Sequence, residues 1–86
     1  MTLVVVWIAP VAGPLTISAT RLTELLNLHI TAAHRVEHLA VRERFNEMAI
    51  FGFLMACSMY DARQTLTNLV GAVIASESEL HYWRVV

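Results

Sequence analysis

The spacing of hydrophobic positions changes along this 86-residue chain. Leu3-Val4-Val5-Val6-Trp7-Ile8 is an unbroken run of aliphatic and aromatic residues stopped by Pro10, and it predicts a short strand. From about Ile17 the spacing turns helical, with Thr16 or Ser18 available as an N-cap after Pro14. Leu22, Leu25, Leu26, His29, Ala33, Val36 and Ala40 recur every three or four residues, and Glu24, Arg35 and Arg42 share the opposite side. An amphipathic helix is predicted there. Continued unchanged, it would carry Glu43 and Glu47 on its apolar stripe, so a break is expected at residues 44–46, with Asn46 as a new N-cap.

Residues 48–60 are apolar around a helix's whole circumference. Met48, Phe51, Met55 and Met59 would line one side, and Ile50, Phe53, Leu54 and Cys57 the others. Asp61 followed by Gln64 reads as a capping box for a third helix running to about Ala75, with Leu66, Leu69, Val70 and Val73 on its inner face. Gly52 and Ala56, like Gly71 and Ala75, place small residues four apart, a spacing that lets two helices approach closely. Residues 81–86 are strand-prone and would give the N-terminal strand a partner. The expected fold is mainly α and a single domain over residues 1–86: an amphipathic helix, an apolar helical hairpin, and short extended segments at both termini.

Composition adds the expectation of a partner. Hydrophobic residues make up 57% of the chain and charged residues 15%, against about 45–50% and about 25% in ordinary domains. A chain this short hides only about 60% of the surface it exposes when unfolded, so a homodimer or another protein is expected to cover the surplus. The expected partner surface is Phe45, Met48, Phe51, Gly52, Met55 and Met59, joined by Leu25 and His29 from the first helix.

A net charge of −1, with six arginines scattered along the sequence and no lysine, gives no footprint for a phosphate backbone, and direct nucleic-acid binding is not expected. The arginine bias suggests a GC-rich, bacterial coding sequence. The lone Cys57 excludes an internal disulfide and fits a reducing, cytoplasmic setting. No basic segment precedes the first apolar run, and Pro10, Gly13 and Pro14 interrupt it, which argues against a signal peptide or membrane anchor.

Candidate chemistry is sparse. His34-Arg35-Val36-Glu37-His38 matches the H-x-x-E-H zinc pattern, in which two histidines one helical turn apart hold the metal. A catalytic site needs a third ligand and a cleft, so neither catalytic nor metal residues are assigned. Leu22-Thr23-Glu24-Leu25-Leu26 spells a helical docking string that core packing also produces. No nucleophile is paired with a base, no glycine-rich phosphate loop is present, and no cofactor or small-molecule substrate is implied. The expected function is therefore non-enzymatic: a small regulatory protein that masks an apolar surface of a partner such as a transcription regulator, in the manner of an antiactivator. The alternatives are a small accessory subunit of a membrane complex and a helical protein binding metal through His34 and His38.

Overall fold

The structure, a computed structural model, describes residues 1–55 and 58–86. Strand β1 (Thr2–Pro10) leads into helix α1 (Ala19–His29), strands β2 (Val36–Arg44) and β3 (Glu47–Leu54), helix α2 (Met59–Ser76) and a short strand β4 (Trp83–Val85). One sheet of order β2-β3-β1-β4 results, and every neighbouring pair is antiparallel. Because β3 separates β1 from β2, those two run parallel, as do β3 and β4 across β1. Each helix is thus the crossover that a parallel pair requires, giving two interlocked β-α-β units. The chain is a small α/β fold and not the mainly α one expected.

Two expected elements are corrected. The first helix stops at His29, where Ile30 turns extended and a single turn over Ala32–His34 leads into β2. Val36 and Ala40 fit the helical stripe, yet the segment also alternates: Leu39 and Val41 turn inward, with His38, Ala40 and Arg42 on the other side. The apolar stretch after Asn46 is the strand β3 and not half of a helical hairpin. A short run that is apolar on every side fits a strand covered on both faces as well as a buried helix, and Ile50, Phe51 and Phe53 tip it toward strand. Asn46 forms the β2–β3 turn instead of capping a helix.

Helix α2 occupies most of the expected third helix, but its cap lies three residues earlier. The Ser58 hydroxyl accepts the Asp61 backbone N–H at 3.1 Å, which leaves Asp61 in the first turn, where the helix dipole favours a carboxylate. The N-terminal strand finds its partner at the C-terminus as expected, with Ile8, Ala9 and Pro10 opposite Val85, Arg84 and Trp83.

Both helices cover one face of the sheet. Val4, Val6, Ile8, Val41, Met48, Ile50 and Leu54 point from the strands into one cluster with Leu22, Leu25 and Leu26 of α1 and Ala62, Leu66, Leu69, Val70 and Val73 of α2. Gly52 lets α2 close onto β3, since a Cβ there would stand 2.9 Å from Leu54 Cδ1 and 3.1 Å from Leu66 Cδ2. Gly52→Val should therefore destabilise the fold by about 1–3 kcal/mol through overpacking, read as a lower urea midpoint at unchanged slope. Gly71, by contrast, has open space around it, so the expected small-residue seam between two helices does not form. Ala56, its other end, and Cys57 lie outside the described residues.

At the surface, Arg21 of α1 reaches Glu79 at 2.6 Å and Glu24 at 3.4 Å, linking the first helix to the turn before β4. The hydrogen bond from Arg21 holds the Glu79 carboxyl below its ordinary value, and Glu79 in turn raises the guanidinium.

Candidate functional site

With both helices on one side, no layer of the described residues lies over the other side of the sheet. Strand alternation decides what stands there. His38, Phe53 and Leu3 lie abreast on β2, β3 and β1; Ala40, Phe51 and Val5 form the next row, and Arg42, Ala49 and Trp7 the third. A fourth row begins with Arg44 opposite Glu47, and Arg84 stands opposite Ala9 at the β1–β4 edge. The centre of this open face is apolar across three strands. Its side chains are half-covered by one another, with Val5, Trp7, Phe51 and Phe53 all of intermediate burial and Leu3 44% exposed.

Relief across the face comes from the mixture of sizes. Ala40, set among Leu3, His38, Arg42, Phe51 and Phe53, floors a hollow of about 280 Å³. His38 and Phe53 flank it with ring centroids 6.1 Å apart. A second hollow, of about 520 Å³, opens where β1 leaves the sheet, between Trp7, Ala9, the Pro10–Gly13 segment and the β2–β3 turn.

That turn holds Phe45, which is 89% exposed and has a left-handed φ of 54°. A two-residue hairpin turn calls for Gly, Asn or Asp at such a position. A bulky aromatic there is strained by about 1 kcal/mol or more and gains nothing from its own chain's core.

Charge is sided as well. Three of the six arginines, Arg42, Arg44 and Arg84, lie on the open face, and among the acidic residues with a strand partner only Glu47 joins them; Glu37 falls in the β2 bulge beside His38. None of the three arginines joins the ion pairs formed among the described residues, which link Arg21 to Glu24 and to Glu79. Arginines scattered in sequence are thus partly gathered in space.

Comparison of the chain with known protein families, curated proteins and solved structures finds no match.

The fold separates the residues expected to face a partner. Phe51 is on the open face, and Phe45, Met55 and Met59 are exposed, at the β2–β3 turn, just past the end of β3 and at the start of α2 respectively. Leu25, Met48 and Gly52 are buried on the helix side, so their apolar or small character serves the core. His29 is half-buried, and its Nε2 bonds Glu77 Oε2 at 2.9 Å across 48 residues of sequence.

The zinc pattern comes apart. His34 accepts the Thr31 backbone N–H on its Nδ1, His38 stands on the open face of β2, and no group of three metal-ligating side chains forms among the described residues. With the second histidine on a strand, the helical spacing that gave the pattern its meaning is lost.

Leu3, Val5, Trp7, Ala40, Ala49 and Phe53 complete the face and were not expected there. The signal that could have found them is the Phe51-Gly52-Phe53 triplet, two aromatics two residues apart on one side of a strand, shortly after Asn46, a turn-favouring residue. Among the described residues no helix is long and apolar enough to cross a membrane.

Proposed function

We propose that this chain is a non-enzymatic interaction module of the cytosol whose working surface is the open face of the sheet, and that a second copy of the chain docks there. One observation carries the proposal: three adjacent strands align Leu3, Val5, Trp7, Ala40, Ala49, Phe51 and Phe53 on the side away from both helices. The isolated chain exposes 5214 Å² in total, close to the roughly 5,100 Å² expected of a compact 9.6 kDa monomer. The surplus that the composition implied is therefore not one of total area; exposed large apolar residues such as Leu28, Tyr60 and Tyr82 also stand away from the open face.

The face is at the small end of what a copy of itself needs. Three strands about 4.8 Å apart and roughly 25 Å long, with the three-residue β4 along one edge, give a projected patch of about 400 Å². Stable complexes bury ~800 Å² per partner, so a docked copy would also cover the β2–β3 turn and the segment after Pro10. Two sheets packed face to face bury such surfaces about 10 Å apart, as in a sandwich. Sedimentation of the purified chain tests the proposal, with a dimer expected at micromolar concentration.

A second reading follows from the charge. An anionic single strand could stack bases on Trp7, Phe51 and Phe53 and set its phosphates near Arg42, Arg44 and Arg84. Titration of a labelled ten-base oligonucleotide, at about 50 mM salt, separates the readings. Salt-sensitive binding lost in Phe53→Ala supports the single strand, and no binding at ~100 μM, far above ordinary non-specific affinities, rules it out.

A further inference from the structure

We infer that Phe45 is the anchor of the contact between two copies, each phenyl ring seated in the partner copy's hollow over Ala40. The inference rests on the open face being the dimer surface. Three observations meet in it.

Phe45 is a large apolar side chain held almost wholly in water by a backbone conformation that glycine or asparagine would adopt without strain. Strain of this kind persists where function uses the residue. The hollow lined by Leu3, His38, Ala40, Arg42, Phe51 and Phe53 is apolar at its floor, and no side chain of its own chain fills it. Its volume of about 280 Å³ admits a phenyl ring.

Knob and hollow sit on the same hairpin, Phe45 in the turn one residue past the end of β2 and Ala40 five residues before it, or about 17 Å at strand spacing. Any two points on one face are exchanged by a two-fold axis lying in the contact plane along their perpendicular bisector. Here that bisector runs across the strands near Arg42 and Ala49. Such an axis satisfies both Phe45 contacts at once, as an isologous dimer requires. It also leaves the strands of the two copies aligned, which is one of the two stable ways for sheets to pack. The register then brings Trp7 of each copy to the axis, beside its symmetry mate, and lays Leu3 against the segment that follows Pro10 in the other copy. Arg42 lies near the axis too, but it is exposed on the edge strand β2, where water screens the like charges.

The test is the dimer dissociation constant, measured by sedimentation for the full chain and for Phe45→Gly and Phe45→Trp. Phe45→Gly is expected to weaken association at least tenfold while raising the melting temperature of dilute, monomeric protein, because it relieves the turn. Phe45→Trp should keep association within threefold. Mixing Phe45→Cys and Ala40→Cys chains, both made in a Cys57→Ser background, should give an oxidised cross-linked dimer that neither chain forms alone. If wild type dimerises and Phe45→Gly dimerises equally well, the anchor is wrong and the open-face dimer stands. A wild type that is monomeric at every concentration overturns both.

Discussion

Phe51→Asp is expected to turn a dimer into a folded monomer. Phe51 occupies the middle row of the open face, flanked by Ala40 and Val5, and its side chain points away from both helices. The substitution therefore leaves the core of α1, α2 and the inner sheet face untouched, and circular dichroism and the urea midpoint of the monomer should stay near those of wild type. Association suffers twice, because every residue of a two-fold contact appears in both halves. At about 2 kcal/mol per central aromatic, the loss is about 4 kcal/mol, or roughly a thousandfold in the dissociation constant. A carboxylate buried against the partner's apolar rows adds to it. An unchanged dimer in Phe51→Asp would mean that the contact lies elsewhere on the molecule.

The largest expected loss of stability is at Leu66. It is wholly buried at the centre of α2, and its two methyl groups are the atoms that approach β3 where Gly52 makes room. Leu66→Ala opens a cavity beneath a glycine that has no side chain to move into it, so little relaxation can offset the loss. About 3–5 kcal/mol is expected, within the range for buried leucines. That is a large part of what a small domain possesses, so the variant should be partly unfolded at physiological temperature and should melt well below wild type. A loss under about 1 kcal/mol would show that α2 does not close on β3 as described. The two substitutions act on opposite faces of one sheet, and their effects should separate cleanly, one on association and the other on folding.

The same two faces explain which parts of the fold were legible in the sequence. Strand β1 could be read because Leu3 to Ile8 is too β-branched, and stops too abruptly at Pro10, to suit a helix. Helix α2 could be read because Leu66, Leu69, Val70 and Val73 recur at helical spacing between polar residues such as Arg63, Gln64 and Asn68. Strand β3 could not. A half-exposed strand declares itself by alternating polar and apolar residues, and here Ala49, Phe51 and Phe53 put apolar groups on the outer side as well. The apolar outer side of the sheet is the feature that disguised the strand beneath it. Strand β2 was lost differently: Val36 and Ala40 happen to fall on a helical stripe with Leu22 to Ala33, and that chance continuity hid the turn at Arg35, whose φ of 55° ends any helix.

Site residues divide along the same line. Phe45, Phe51, Met55 and Met59, expected at a partner surface, all lie outside the core, because their apolar excess does not depend on which element carries them. Leu25, Met48 and Gly52 were assigned on helical geometry and became core once that geometry changed. The grouping of Arg42, Arg44 and Arg84 was invisible to a linear count, since only the pairing of β4 with β1 brings the last of them to the sheet.

The central claim is that the open face of the sheet is covered by a second copy of this chain. Sedimentation equilibrium of wild type beside Phe51→Asp, from about 1 to 100 μM, tests it most directly, since that range brackets affinities of weak and moderate dimers. The account predicts a mass rising to twice the 9.6 kDa of one chain for wild type and a single-chain mass throughout for Phe51→Asp. A wild type that stays at the single-chain mass across the whole range would contradict it.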